Sequence, residues 1–402
     1  MSLSTLREEN SMYSSSGRQV VAIPKESNDM TPESLPSAVD LVSRIKVRDV
    51  AIILPARNEA EQIGATLNAL FEQTKLPRRI IVVVNNCTDG DATAAKARSF
   101  RDVEVVEMTN NPFLKAGALN EGVRFLVASK ELPEFILTMD ADTIPDEDFL
   151  ENTVNVLNSR PEVGGVSTVC DGKKKLGKTR FAKALALVQQ LEYARAGFTR
   201  LRVNIHTMSG AGSMLRMKAV LDVLDSRGVL FAERTDNLVE DFETTLEVKR
   251  MGWKCISNYY CHVQTDLMTT IPELMKQRVR WVHGTINELR RRGWSKETWQ
   301  SILTMWYAYI SIPIYYLWVL LLGVQMTLGK PVLWGFWFLG FVMIFQALSV
   351  YRLGWKMMLL AALLLPELLF AVIRHAWIIV SLVKSYSMRR YPRSAVRTKL
   401  SW

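Results

Sequence analysis

Phe135-Ile136-Leu137-Thr138-Met139-Asp140-Ala141-Asp142 is the stretch that decides the fold. A short apolar run fit for a buried strand is followed at once by two carboxylates, so the strand ends by releasing polar groups. Working outwards, similar runs lie at 50–54, 80–84, 103–106 and 165–169, and stretches of helical spacing such as 61–72 and 116–129 separate them. That alternation predicts an α/β fold, a mostly parallel sheet with flanking helices. Ligands then bind beyond the carboxyl ends of the strands. Further on, 178–196 reads as a helix, 206–216 as a Gly-rich turn, 240–250 as a helix stopped at Gly252, and 271–292 as a basic amphipathic stretch.

The 402 residues are 49% hydrophobic and carry 50 Lys and Arg against 40 Asp and Glu, a net +10. Such a composition excludes an intrinsically disordered chain. Residues 301–402 hold ten basic residues and one acid, so +9 of the +10 lies there and the first 300 residues are at +1. Between 301 and 384 only Lys330, Arg352, Lys356, Glu367, Arg374 and Lys384 are charged. A basic excess beside apolar segments points to a membrane and away from nucleic acid. Residues 302–328 and 332–351 are each long enough to cross a bilayer as helices. The piece 357–383, with Pro366, Glu367, Arg374 and His375, reads as a kinked span or a helix lying partly in the interface. The basic tail beyond Lys384 should stay cytoplasmic, which requires an even number of crossings. The first 40 residues lack the apolar core of a signal peptide. Cys87, Cys170, Cys255 and Cys261 form no C-x-x-C pair and suggest a reducing compartment.

Chemistry-bearing residues fall where strands end or helices begin. Pro55-Ala56-Arg57-Asn58-Glu59 closes the first strand, and Asn85-Asn86-Cys87-Thr88-Asp89 closes the second. Polar groups at adjacent strand ends can hydrogen-bond a base and ribose, with Asn85 or Asn86 supplying donor and acceptor. Asn-rich turns also simply cap helices. Asp140 and Asp142 can engage one hard divalent cation, although 145–148 also resembles the first turn of a helix. Glu240-Asp241 opens a later helix, where a carboxylate serves either as a cap or as a general base. Gln277-Arg278-Val279-Arg280-Trp281 joins guanidinium forks to a flat ring, fit for diphosphate and a sugar face, or for lipid headgroups. Gly210-Ala211-Gly212 begins like a dinucleotide fingerprint but has Leu215 where the third Gly belongs. It reads as a close backbone approach lining an acceptor.

Together these elements resemble a membrane-bound inverting glycosyltransferase of family 2, the group that includes cellulose, chitin and hyaluronan synthases. The resemblance runs from about Val50 to Trp281 and rests on five motifs in order: Pro-Ala-x-Asn-Glu at Pro55 to Glu59, Lys115-Ala116-Gly117-Ala118-Leu119-Asn120, Asp140-x-Asp142, Glu240-Asp241, and Gln277-x-x-Arg280-Trp281. It implies a nucleotide-sugar-binding glycosyltransferase A-type domain followed by transmembrane helices. It implies Mg²⁺ or Mn²⁺ on Asp140 and Asp142, and Asp241 as base with Glu240 beside it. The donor side would comprise Pro55, Ala56, Asn58, Glu59, Asn85, Asn86, Asp89, Lys115, Asp140 and Arg280. Gln277, Trp281, Gly210 and Gly212 would line the acceptor. The family usually has an acid at the second strand's end to read the base; Asn85 and Asn86 stand there instead, a neutral contact that puts the UDP-sugar it otherwise implies in doubt. Val239 replaces the Thr that usually precedes Glu-Asp.

The expected organisation is a polar, disordered tail at 1–45, a cytosolic catalytic domain at 46–298, a membrane region of two to four spans at 299–385, and a basic cytosolic tail at 386–402. The protein would sit as a multi-pass protein in the cytoplasmic membrane. The acceptor stays open between a growing glycan, a lipid and a protein, and an oligomer is compatible with any of them. A nucleotidyltransferase, which would release pyrophosphate, and a non-catalytic nucleotide-sugar-binding scaffold are the readings from other classes.

Overall fold

The computed structural model describes residues 45–173, 178–199, 204–329 and 333–387. The tails expected at 1–45 and 386–402 therefore lie almost wholly outside the described residues, as do Lys330 and Pro331 between two of the apolar pieces.

The strands are β1 (Ile45–Ala56), β2 (Arg79–Asn85), β3 (Val103–Met108), β4 (Leu132–Met139), β5 (Ile144–Pro145), β6 (Val163–Gly172), β7 (Gly212–Arg216) and β8 (Lys254–Thr265). They form a single eight-stranded sheet in the order β3-β2-β1-β4-β7-β6-β8-β5. The expected parallel pairing holds for β3, β2, β1 and β4, and again for β6 with β8. It breaks at β7, which runs antiparallel to both β4 and β6, and β5 is antiparallel to β8. The sheet is thus mixed, and the stretch read as a Gly-rich turn holds one of its central strands.

Helices cover both faces. On one side α1 (Ile63–Phe71) and α2 (Ala92–Arg98) precede α3 (Leu114–Val127) on the other; α4 (Phe149–Ser159), α5 (Arg180–Thr199), α6 (Met217–Arg227), α7 (Glu240–Arg250) and α8 (Ile271–Arg292) follow. Because side chains alternate along a strand, Ile53 and Ile81 enter one apolar core with α3 and α6, while Ile52 and Val82 enter the other with α1 and α4. Gly122 lets α3 sit on β1: a Cβ there would lie 2.5 Å from Ile53 Cγ2. The turn at 145–148 is not the start of a helix as its acids suggested. Pro145 ends β5, and α4 begins at Phe149.

The apolar region divides differently from its sequence reading. α9 (Trp299–Thr327) and the segment 366–387 of α12 (Leu365–Ser387) are long and apolar enough to cross a membrane, by length and composition. The piece read as a second span is α10 (Leu333–Leu348), 16 residues. At 1.5 Å per residue this described part reaches roughly 24 Å. The third piece breaks at Leu364, whose φ is 58°, into α11 (Trp355–Ala362) and α12. α12 is tied to the sheet domain: Arg195 of α5 donates to Glu367 at 2.6 Å, and His283 of α8 bonds Ser385 at 2.7 Å.

Candidate active site

One cavity of about 1370 Å³ opens at the carboxyl ends of β1, β2 and β4, and its walls include Pro55, Ala56, Arg57, Asn58, Glu59, Asn85, Lys115, Asp140, Asp142, Gly210, Glu240, Asp241, Gln277, Arg280 and Trp281. Residues spread over more than 220 positions of sequence thus converge at one sheet edge. Local structure aims them. Asn58, at φ 58°, bonds Thr88 through both its amide nitrogen (3.1 Å) and its oxygen (2.8 Å), locking the β1 and β2 loops together. α8 starts at a capping box, Thr270 accepting from Glu273 N while the Glu273 carboxylate accepts from Thr270 N. It then presents Gln277, Arg280 and Trp281 to the cavity. α7 carries Glu240, Asp241 and Glu243 in its first turn, where the helix dipole favours negative charge.

Lys115, at the start of α3, is the electrostatic hub. Its ammonium lies 2.6 Å from Asp140 and 2.9 Å from Glu240 and donates to Gly210 O at 3.4 Å. Burial alone would lower it, but Asp140 and then Glu240 outweigh that and hold it above its ordinary range. Burial likewise opposes ionisation of Glu240, yet Lys115 and Arg280 leave it below the usual carboxylate range. Asp241 has the opposite fate: burial, then the adjacent Glu240 charge, push it up to about 6. Gly210 allows this closeness, since a Cβ there would stand 3.2 Å from Asp241 Oδ2 and 3.4 Å from Lys115 Nζ. Two adjacent carboxylates are therefore split into a fixed anion and a group that takes a proton near neutrality.

A second acidic group sits beside the first. Burial, Asp140 and Asp266 raise Asp142 to about 6, and burial, Asp142 and Asp140 raise Glu59 to about 7. Lys173 partly offsets this, bonding Asp142 O at 2.7 Å and Asp266 at 2.9 Å. Crowded carboxylates of this kind suit a hard divalent cation. Among the described residues no three His, Cys, Asp or Glu side chains are arranged to enclose a metal ion alone. Phosphate oxygens and water would have to complete its shell. Sequence reasoning missed Lys173 and Asp266, because the strand β8 that delivers Asp266 has no clear alternation.

Some expected residues have other employment. Asn85 is buried, its side chain donating to Leu114 O and accepting from Asn111 Nδ2 at 2.9 Å. Asn86 exchanges two bonds with the Asn111 backbone and does not line the cavity. Both amides thus hold the loop before α3; Asn85 still borders the cavity, whereas Asn86, expected on the donor side, does not. Asp89 is likewise outside the lining and accepts from Thr93 N at 3.0 Å, bracketing the start of α2. Gly212 lies in β7, where a Cβ would meet Thr168 Cγ2 at 2.7 Å; it serves strand packing and not the cavity wall. One face of Trp281 is covered by the Arg278 guanidinium, 4.3 Å from the ring centroid, which also bonds Glu192 at 2.8 Å.

Residues 48–284 match the sequence model of the family described as glycosyltransferase like family 2, and the chain belongs to that family. Among its relatives is the poly-beta-1,6-N-acetyl-D-glucosamine synthase of Staphylococcus epidermidis, 25% identical over 260 residues, 62% of this chain and 58% of the relative. The enzyme of the same name from Staphylococcus aureus strain COL is 24% identical over 285 residues, 69% of this chain and 65% of its own. This chain thus spans less than two thirds of the length of these curated relatives. Among solved structures, the mannosyltransferase of Pyrobaculum calidifontis, in complex with GDP-mannose and Mn²⁺, shares the fold: TM-score 0.54 at 21% identity, over 84% of this chain and 86% of that one.

Proposed function

We propose that the protein is a membrane-associated inverting glycosyltransferase that moves a sugar from a nucleoside-diphosphate sugar to an acceptor hydroxyl. The observation that carries this reading is Asp241: a carboxyl held near pH 6 beside an ionised Glu240, in the same cavity as Asp140, Asp142 and Arg280. Asp241 takes the acceptor proton as that oxygen attacks the anomeric carbon from the face opposite the diphosphate. The new carbon–oxygen bond forms as the bond to the diphosphate breaks, so an α-linked donor yields a β-linked product. Lys115 and Arg280 are placed to bind the diphosphate, and Gln277 and the open face of Trp281 the acceptor. Asp140 and Asp142 would hold the divalent cation, which when bound supplies charge neutralisation to the leaving group. Family membership supports the glycosyl transfer, and the two long apolar helices support the membrane. The basic excess in 301–402 supports a cytosolic catalytic face.

The test is product analysis: membranes containing the full chain, given a panel of labelled nucleotide sugars, should release a nucleoside diphosphate with one of them. Release of pyrophosphate would assign the site to a nucleotidyltransferase instead. The stereochemistry of the product checks inversion.

A further inference from the structure

The cavity does not end at the carboxylates. It runs on from Gln277 and Trp281 to Leu303 and Ala308 of α9 and to Trp377 and Ile378 of α12. These helices are the two with the length and composition of membrane spans. Arg374 lines the same end and keeps 37% of its side-chain surface exposed. It lies roughly 12 Å along the helix from Pro366, in a segment whose other charged residues are Glu367 and Lys384. Charged side chains at such places are costly and usually serve a ligand or a pathway. Glu367 meets Arg374 at 3.1 Å with one oxygen and Arg195 at 2.6 Å with the other, so a single carboxylate is shared by two guanidinium groups.

The cavity thus ends in an apolar wall and an arginine. Both features fit an amphiphile with an anion between its head and its tail. We propose that the acceptor is a sugar linked through phosphate or diphosphate to a lipid: the phosphate at Arg374, the apolar chain against α9 and α12, and the sugar hydroxyl at Asp241. This rests on the glycosyltransferase reading and gives it a substrate class. The transfer balances as before, the acceptor proton passing to Asp241 and the bonding electron pair leaving with the nucleoside diphosphate.

The full-length protein in membranes is incubated with the labelled nucleotide sugar that supports nucleoside diphosphate release, and the products are partitioned between chloroform–methanol and water. Label is expected in the organic phase and should move to water after mild acid, which cleaves glycosyl phosphates. Label found in water or in an insoluble polymer would overturn the proposal, and so would organic label that survives the acid. In those cases nucleoside diphosphate release still upholds the transferase reading, whereas no release with any donor sinks both. Arg374→Gln should raise KM for the lipid extract of the same membranes by about tenfold or more, the loss of one charge-assisted hydrogen bond, and Arg374→Lys should recover much of it. An unchanged KM in Arg374→Gln would remove Arg374 from the site.

Discussion

The pH dependence of turnover tests Asp241 most directly. With a carboxyl raised to about 6 from an ordinary 3.8, the group is about 90% ionised at pH 7 and about 10% at pH 5. If the ionised form is the base, kcat at saturating donor should fall as pH drops through this interval. A carboxyl at its ordinary value would leave kcat almost flat. The assay is nucleoside diphosphate release at saturating donor and metal, so that Glu59 and Asp142, which titrate nearby, enter through KM and not through kcat. Lys115 lowers the Asp241 value, so Lys115→Met should move the acidic limb to higher pH. Asp241→Asn should cost about 100-fold to 10,000-fold and abolish the limb. A flat wild-type profile, or a limb that survives in Asp241→Asn, would refute the assignment.

The same shift has a stability consequence. Because the folded pKa of Asp241 is raised, its ionised form destabilises the fold above about pH 6, and this cost disappears as pH falls towards 3.8. Asp241→Asn, though inactive, should therefore melt above the wild type at pH 7 by the equivalent of about 1 to 3 kcal/mol, measured by thermal unfolding in detergent. Asp140→Ala or Asp142→Ala should weaken donor binding and its dependence on divalent metal, read by calorimetry with and without EDTA; full activity in EDTA would contradict the metal assignment. Glu243 is almost fully buried and joins Arg227 of α6 at 2.5 Å to Arg292 of α8 at 2.7 Å. Glu243→Ala should cost about 1 to 3 kcal/mol, since Arg227 and Arg292 lose one shared carboxylate but keep Glu247, and Arg292 also Glu288; a lowered melting temperature and faster proteolysis would show it.

Much of the fold could be read from the apolar runs at 50–54, 80–84 and 135–137 within β1, β2 and β4, which polar residues such as Asn58, Asn85 and Asp140 follow closely. That Asp140, Glu240 and Arg280 share one cavity followed from the order of the motifs and the family resemblance; element boundaries alone could not place Arg280, which lies in the interior of α8. β7 was hidden because it is only five residues long and opens with Gly212 and Ser213. Its antiparallel insertion between β4 and β6 depends on partners distant in sequence. Asn86 misled for a related reason: a free amide and one already bonded to Asn111 look alike until the loop before α3 is folded. The third apolar piece breaks at Leu364, two residues before Pro366, on which its reading as a kinked span rested.

The ion pair between Lys115 and Asp140 constrains the order in which ligands can arrive. A bare divalent cation approaching Asp140 meets an ammonium 2.6 Å from the carboxylate oxygen it seeks, and like charges at that range repel strongly. If Asp140 and Asp142 hold the cation, a nucleoside diphosphate would bring the negative charge that Lys115 needs in place of Asp140. The pair thus acts as a lock against the free ion: the apoprotein should take up metal weakly, and the metal and the donor should bind as one ligand.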